Sequence, residues 1–156
     1  GDEIVISMLE HHSNIVPWQL LRQRSGIVLK VIPATTDGRL DLDKLDDVIT
    51  DKCKLVAVTH VSNVTGADTE IYRIVEAAKA VGAKVLIDGA QRVPHGPIDV
   101  QALGVDFYAF SGHKMYAPNG IGILWAHREL LDALPPFMGG GEMIRTVTLE
   151  DTIFAV

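Results

Sequence analysis

The sequence contains very little cysteine, since Cys53 is the single one among 156 residues. One cysteine cannot form an internal disulfide, so a disulfide-bonded framework within this chain is excluded. The lysines on either side of Cys53 could lower the pKa of its thiol somewhat, but an isolated thiol of this kind is usually incidental. The cysteine content is therefore compatible with a reducing compartment.

Basic residues are also few, with 14 Lys and Arg against 20 Asp and Glu and a net charge of -6. This balance disfavours a general surface for nucleic acid or anionic membranes, although local basic patches remain possible. No apolar run approaches the roughly 20 residues that a membrane-spanning helix needs, and no basic, apolar and small-residue leader opens the sequence. We therefore expect no nucleic-acid or membrane partner and a cytoplasmic location, unless a leader precedes this segment.

Strand and helix patterns alternate along the chain, and hydrophobic residues make up 47% of it. The predicted strands are 3–7, 27–32, 54–59, 85–87, 106–110 and 121–125, and the predicted helices are 15–21, 42–49, 71–81 and 128–134. Such alternation is typical of a parallel sheet covered by helices on both faces. We predict the α/β class, with three layers (α/β/α) around a mainly parallel sheet, and one domain spanning residues 1–156.

A lysine lies on a predicted tight turn at a strand end, in the tetrad Ser111-Gly112-His113-Lys114. Covalent chemistry with lysine requires burial or a neighbouring cation, because either favours the neutral amine. Lys114 could then form a Schiff base with an aldehyde cofactor and later exchange it for a substrate amine. On the tetrad alone, an ordinary surface lysine after a strand is the alternative.

A carboxylate, Asp88, directly follows the predicted strand 85–87. Open α/β sheets bind ligands at the carboxyl ends of their strands. Pyridoxal phosphate needs a carboxylate against its pyridine nitrogen, because the protonated ring is the electron sink for the substrate's α-carbon. The alternative is that Asp88 caps a turn or the next helix. Its occurrence together with Lys114 favours the cofactor role.

Two adjacent histidines, His11 and His12, follow the first predicted strand. A flat imidazole can stack on a pyridine ring and can also move protons near neutral pH. Alternatively, the histidines are polar loop residues and Ser13 or Asn14 caps the following helix. No further cysteine or histidine has zinc-ligand spacing, so we predict no metal site.

An amide, Asn63, follows the predicted strand 54–59 and would point into the same crevice. It could donate to a phenolic oxygen or a carboxylate without adding charge. Ordinary turn chemistry before Gly66 is the alternative.

Five segments together resemble the pyridoxal-phosphate-dependent cysteine desulfurases of the SUF type, within the class V aminotransferase group of fold type I enzymes. They are EHHSNIVPWQ at 10–19, THVSNVTG at 59–66, KVLIDGAQ at 84–91, DVQALGVDFYAFSGHKMYAPNGIGILW at 99–125 and PPFMGGGEMI at 135–144. The resemblance covers essentially the whole chain and implies the large domain of that fold. We expect the chain to be a central fragment, without the flanking amino-terminal segment and the carboxyl-terminal small domain that supplies the sulfur-accepting cysteine.

The resemblance implies that Lys114 holds the cofactor covalently, that Asp88 pairs with the pyridinium nitrogen and that His11 stacks on the ring. The choice of His11 over His12 rests on the resemblance.

The resemblance also implies ligands for the rest of the cofactor and for the substrate. Gln91 would hydrogen-bond the phenolic oxygen, and Ser111 and His113 would bind the phosphate. Asn63 would lie near the substrate carboxylate. The roles of Gln91 and Ser111 rest on the resemblance.

The implied activity converts L-cysteine to L-alanine and leaves a persulfide on the enzyme, which is expected to be a homodimer and to pass sulfur to an acceptor protein for iron–sulfur cluster assembly. A selenocysteine lyase acting on L-selenocysteine, or another class V aminotransferase, is the enzymatic alternative. A different alternative is that the isolated chain is a non-catalytic structural core that binds the cofactor weakly or not at all.

Overall fold

In the computed structural model, which describes residues 1–155, six strands form one sheet. The strands are β1 (Glu3–Ser7), β2 (Val28–Ile32), β3 (Cys53–Thr59), β4 (Lys84–Asp88), β5 (Phe107–Ser111) and β6 (Gly122–Ala126). They lie in the order β2-β1-β3-β4-β5-β6, and the pairs β1–β2, β1–β3, β3–β4 and β4–β5 are parallel. The predicted mainly parallel sheet is confirmed.

The helices follow the predicted alternation with the strands. They are α1 (Val16–Ser25), α2 (Leu45–Val48), α3 (Ile71–Ala80), α4 (Val100–Leu103) and α5 (Arg128–Ala133). The predicted helix 42–49 consists of a 3-10 turn, Leu42–Lys44, followed by the short α2. The patterns did not predict α4, whose single turn is capped by the Asp99 carboxylate and is too short to show a helical period.

Each face of the sheet carries its own apolar cluster, because successive side chains of a strand point to opposite faces. One cluster contains Val5 and Val56 together with Ile74 of α3. The other contains Ile4, with Trp18 of α1 packed against it. Helices therefore cover both faces, as the predicted three-layer arrangement requires.

The helix with the clearest amphipathic pattern is α3, whose sequence places apolar residues at the spacing i, i+3, i+4 and i+7. Its buried residues are Ile71, Ile74, Val75 and Ala78. The chain leaves α3 through Gly82, whose φ of 74° lies in the left-handed region that favours glycine. This pattern packs α3 against β3 and β4.

The parallel register brings the carboxyl ends of four strands to one edge of the sheet, which we call the carboxyl edge. Thr59 of β3 is paired with Asp88 of β4, and Asp88 is paired with Ala109 of β5. The polar segments that follow β1, β3, β4 and β5 therefore meet there, where open α/β sheets bind ligands. The opposite edge, where these strands begin, is called the amino edge below.

Cys53 is the first residue of β3 and is buried. Burial is the main reason why the pKa of its thiol is raised. The lowering expected from the neighbouring lysines is therefore wrong, since desolvation outweighs nearby positive charge.

The contacts divide the chain into two compact units, one running from Gly1 to Trp125 and the other beginning at Ala126. The second unit contains α5 and an antiparallel pair of strands, β7 (Ile144–Val147) and β8 (Thr152–Phe154), that the sequence patterns missed. The single-domain assignment of residues 1–156 stays a prediction. Within residues 1–155, no helix has the length and apolar character that crossing a membrane requires.

Candidate active site

A cavity of about 710 Å³ lies at the carboxyl edge, within the first unit. Its size is in the ordinary range for a small-molecule site. The predicted site residues that line it are His11, Asp88, Ser111, His113 and Lys114. The parallel sheet thus brings together side chains that are more than a hundred residues apart in the sequence.

Lys114 lies on a 3-10 turn, Gly112–Met115, that directly follows β5. The Gly112 N–H donates to the Ile121 carbonyl at 2.9 Å, and the Ala117 N–H donates to the Gly112 carbonyl at 3.1 Å. A Cβ on Gly112 would lie 3.1 Å from the Ile121 oxygen, so the close approach of the two backbones favours glycine. These contacts hold the half-buried Lys114 at the cavity wall.

Asp88 is the last residue of β4, and one of its carboxylate oxygens, Oδ1, accepts the Ala90 N–H at 2.9 Å. The turn-capping role considered from the sequence is therefore present, but it occupies only one of the two carboxylate oxygens. The capped oxygen fixes the orientation of the carboxylate, so the Asp88 side chain can both cap the turn and line the cavity.

The turn after Asp88 packs tightly against β5. A Cβ on Gly89 would lie 2.1 to 2.3 Å from the ring and hydroxyl atoms of Tyr108, so no larger residue fits without displacement. Tyr108 is 1% exposed, and its hydroxyl lies 2.9 Å from His60 Nδ1. Burial raises the pKa of Tyr108 to about 12 and lowers the pKa of His60. A neutral phenol and a neutral imidazole therefore share a hydrogen bond behind the Asp88 turn.

The structure distinguishes the two adjacent histidines, because His11 lines the cavity and His12 does not. His11 Nδ1 accepts the Ser13 N–H at 3.2 Å and lies 2.8 Å from Ser13 Oγ. Since Nδ1 is an acceptor, the neutral His11 ring carries its proton on Nε2. The alternative that Ser13 or Asn14 caps α1 is wrong, because its N-cap residue is Ile15 and no side chain caps it.

Sequence reasoning missed a buried carboxylate behind His11. Glu10 is 8% exposed and accepts three hydrogen bonds, from Ser7 Oγ at 2.5 Å, Asn14 Nδ2 at 2.7 Å and the Thr59 N–H at 2.9 Å. Burial raises the pKa of Glu10, although these donors oppose the rise. The signal that could have found it is the spacing of Glu10 and Asn14, four residues apart around the histidines.

Two predicted site residues do not line the cavity. Asn63 is exposed on a turn in which Ser62 Oγ accepts the N–H groups of Val64 and Thr65, both at 3.2 Å. Gln91 is half-buried in the turn after Asp88. The roles assigned to Asn63 and Gln91 stay predictions.

Curated relatives match almost the whole chain. A probable cysteine desulfurase of Streptomyces coelicolor is 56% identical over 153 residues, which are 98% of this chain and 37% of that protein. A cysteine desulfurase of Dickeya dadantii is 56% identical over 156 residues, which are 99% of this chain and 38% of that protein. The chain therefore spans a little over a third of the length of these relatives.

Solved structures agree with this similarity. The crystal structure of the cysteine desulfurase CsdA of Escherichia coli, with an S-sulfonic acid, matches with a TM-score of 0.95 and 42% identity over 99% of this chain and 39% of that chain. The apo cysteine desulfurase of Thermococcus onnurineus matches with a TM-score of 0.92 and 40% identity, again over 99% and 39%. The Aminotransferase class-V family matches residues 1–156, and the chain therefore belongs to that family, as its sequence predicts.

Proposed function

We propose that this chain forms the cofactor-binding wall of a pyridoxal-phosphate-dependent cysteine desulfurase. The observation that carries the proposal is the convergence of Lys114, Asp88 and His11 on one cavity. The relatives named cysteine desulfurase, at 56% identity, support the choice of reaction.

The groups around the cavity fit pyridoxal phosphate chemically. The cofactor needs an amine for its aldehyde, a carboxylate for its ring nitrogen, a flat surface for its ring and donors for its phosphate. Lys114, Asp88 and His11 supply the first three, and Ser111 and His113 supply hydroxyl and imidazole donors. The close packing of Gly112 against Ile121 fixes the turn that carries His113 and Lys114.

Each of these side chains would have a distinct task. Bound pyridoxal phosphate would supply the electron sink that allows the substrate's Cα–H bond to ionise. The Asp88 carboxylate would keep a proton on the ring nitrogen, and the face of His11 would hold the ring. Lys114 Nζ would bind the cofactor first and, once the substrate amine has displaced it, would take the proton from Cα.

We infer that the substrate is L-cysteine and that the sulfur acceptor is a cysteine other than Cys53. In the reaction the substrate's Cβ–S bond breaks, the sulfur joins an acceptor thiolate as a persulfide, and the remaining carbon unit takes up a proton to give L-alanine. A thiolate is the reactive form of cysteine. Cys53 is buried with a raised pKa, so it is unsuited to this role.

We also propose that the intact enzyme is a homodimer. The support is an exposed apolar surface beside the Lys114 turn, where Tyr116 is 92% exposed, Ile121 is 53% exposed and Leu124 is 50% exposed. Several large apolar side chains exposed within one stretch of the chain favour a protein interface. We expect Ile121→Lys to shift the protein to a smaller species in sedimentation equilibrium, whereas Val64→Lys, at a valine that is 83% exposed on a turn elsewhere, leaves its oligomeric state unchanged.

The cofactor proposal is tested by trapping. The protein is incubated with pyridoxal phosphate and reduced with borohydride, and the adduct is located by peptide mass spectrometry. We expect label on Lys114, lost in Lys114→Ala and retained in the control Lys54→Ala, which removes an exposed lysine of β3. Label that is absent or spread over surface lysines would refute the proposal and support the non-catalytic core.

The choice of substrate is tested separately with L-cysteine and L-selenocysteine. We expect the intact enzyme, which includes the acceptor cysteine, to form alanine from L-cysteine, with sulfide appearing when a thiol reductant is added. Alanine formation from L-selenocysteine alone would instead indicate a selenocysteine lyase.

A further inference from the structure

Glu10 is a buried carboxylate that the proposed chemistry does not use. Its oxygen Oε1 accepts from Ser7 Oγ and from the Thr59 N–H, and Oε2 accepts from Asn14 Nδ2. Ser7 Oγ itself accepts the Leu9 N–H at 3.1 Å, so its single proton is directed at Glu10. One side chain thus joins the end of β1, the segment before α1 and the end of β3.

The hydrogen-bond pattern requires both side-chain oxygens of residue 10 to be acceptors. Trp18 Nε1 can only donate, and it donates to Asn14 Oδ1 at 3.0 Å. The Asn14 amide is therefore oriented with Nδ2 towards Glu10. An ionised glutamate accepts on both oxygens, whereas a glutamine would bring an NH₂ group against either Asn14 Nδ2 or the donors Ser7 and Thr59.

The atoms ordered by Glu10 form one wall of the cavity. Asn14 and Trp18 line the cavity, as does His11, the residue that directly follows Glu10. His11 in turn caps the 3-10 helix His12–Asn14 through the Ser13 N–H. Glu10 and Asn14, which are hydrogen-bonded to each other, therefore bracket the short segment that holds the imidazole.

We propose that Glu10 is a positioning residue that fixes the His11 ring, and its Nε2–H tautomer, against the cofactor. The inference rests on the proposed cofactor site, and it deepens that proposal by naming what orients the ring partner. Glu10 acts through Asn14 and the chain around His11.

The test uses a mutant cycle of Glu10→Gln, Trp18→Phe and the double variant. In Glu10→Gln the new NH₂ group faces the NH₂ group of Asn14. The Asn14 amide cannot rotate by 180° to present its oxygen instead, because its NH₂ group would then face the Trp18 N–H, which is also a donor. In the double variant Phe removes the indole donor, so Asn14 can turn over and accept from Gln at residue 10. We therefore expect Trp18→Phe to restore much of what Glu10→Gln loses.

The first readout needs no cofactor. Imidazole ¹⁵N NMR of the protein, assigned with His11→Gln and His12→Gln, reports the tautomer of each histidine. We expect His11 to be the Nε2–H tautomer in the parent protein, a mixture of tautomers in Glu10→Gln and again mainly Nε2–H in the double variant. An unchanged His11 signal in Glu10→Gln would overturn the inference.

The second readout is the binding of pyridoxal phosphate, measured by titration and by the circular dichroism induced in the bound cofactor. We expect Glu10→Gln to bind about tenfold more weakly, the range expected from one lost hydrogen bond to a charged group. We also expect a weaker induced signal at saturation. A purely structural role would lower stability without changing the saturated signal.

The matched control is Glu3→Gln, because Glu3 is an equally buried glutamate, 7% exposed, at the other end of β1. It should leave the His11 tautomer and the cofactor signal unchanged.

The two proposals fail differently. If the parent protein shows no label on Lys114, the cofactor site is refuted. If Lys114 is labelled but Glu10→Gln matches the parent in both readouts, or the double variant is no better than Glu10→Gln, only the role of Glu10 is refuted.

Discussion

The two edges of the sheet hold their buried and half-buried carboxylates in different ways. At the amino edge, Glu3 pairs with Lys30 at 3.1 Å and Asp106 pairs with Lys84 at 2.9 Å. At the carboxyl edge, Glu10 and Asp88 accept hydrogen bonds from hydroxyl, amide and backbone donors. Within residues 1–155, neither of these two carboxylates forms an ion pair with a lysine or arginine.

The difference indicates which edge is built to receive a charged ligand. Neutral donors hold Glu10 and Asp88 in place without cancelling their charge, and the nearby Asp88 charge contributes to the raised pKa of Glu10. Within the described residues, Lys114 at the same cavity also has no ion-pair partner. A ligand with a protonated ring nitrogen and an electrophilic carbon would engage the Asp88 carboxylate and the Lys114 amine. The amino edge, in contrast, satisfies its charges internally and is structural.

The largest effect is expected at the close contact that supports the Asp88 turn. Gly89→Ala would place a methyl group within 2.3 Å of Tyr108 atoms, which are packed in the core. We expect a loss of about 3 kcal/mol or more in the free energy of unfolding, measured in urea, because overpacking forces backbone shifts. Label on Lys114 should also fall.

The control for this variant is Gly122→Ala on β6, where the nearest atom to the new Cβ would be the Phe110 oxygen at 3.9 Å. It should change stability by less than about 1 kcal/mol. If both alanines were equally harmful, the contact with Tyr108 would not be the reason for the glycine at residue 89.

Glu10→Gln should lower the free energy of unfolding by about 1–3 kcal/mol at neutral pH, because it leaves a buried donor unsatisfied.

The two buried glutamates should also differ in the pH dependence of their contributions to stability. Burial raises the pKa of Glu10, so its contribution to stability falls as pH rises above the ordinary value of 4.5. The hydrogen bond from Thr50, with the Lys30 charge, lowers the pKa of Glu3, so its contribution grows as pH rises towards 4.5.

Urea unfolding between about pH 3 and about pH 7, the range around the glutamate pKa, separates these effects. The stability difference between the parent and Glu3→Gln should increase with pH below 4.5. The difference between the parent and Glu10→Gln should decrease with pH above 4.5. Parallel curves for the two variants would contradict the contrast between the edges.

Burial explains which strands the sequence predicts and which it does not. Strands such as 54–59 and 85–87 contain continuous apolar runs, and their burial on both faces makes that pattern informative. Asp88 was found because it directly follows such a run, and Lys114 because it lies on the turn after another predicted strand, 106–110. The hairpin of β7 and β8 was missed because its strands are short and largely exposed, so burial leaves no alternating pattern.

The supporting residues of the site were not predicted, for a different reason. Glu10 and Tyr108 are each held by a partner distant in sequence, Thr59 and His60 respectively. The pairing of those partners depends on strand order and register, which local patterns do not contain. Single-residue chemistry therefore identified the candidate ligands, but only the fold showed what holds them.

Tyr108→Phe should have a smaller effect, about 1 kcal/mol, because it removes one buried neutral hydrogen bond and leaves His60 Nδ1 without its partner. The ring that packs on Gly89 remains, so label on Lys114 should persist. Thermal or urea unfolding measures the loss. A much larger cost would mean that the phenol has a role beyond this neutral pair, and the carboxyl edge would then depend on more than its described donors.

The smallest effect is expected for Lys84→Gln at the amino edge. Lys84 is 52% exposed, and exposed ion pairs contribute little because water and salt screen them. Asp106 also accepts the Val85 N–H at 2.8 Å, a hydrogen bond that the variant retains. We expect less than about 0.5 kcal/mol in urea unfolding at low salt, and no difference at about 1 M salt. A loss as large as that of Tyr108→Phe, or one that salt leaves unchanged, would show that the amino edge depends on its ion pairs and would remove the distinction between the two edges.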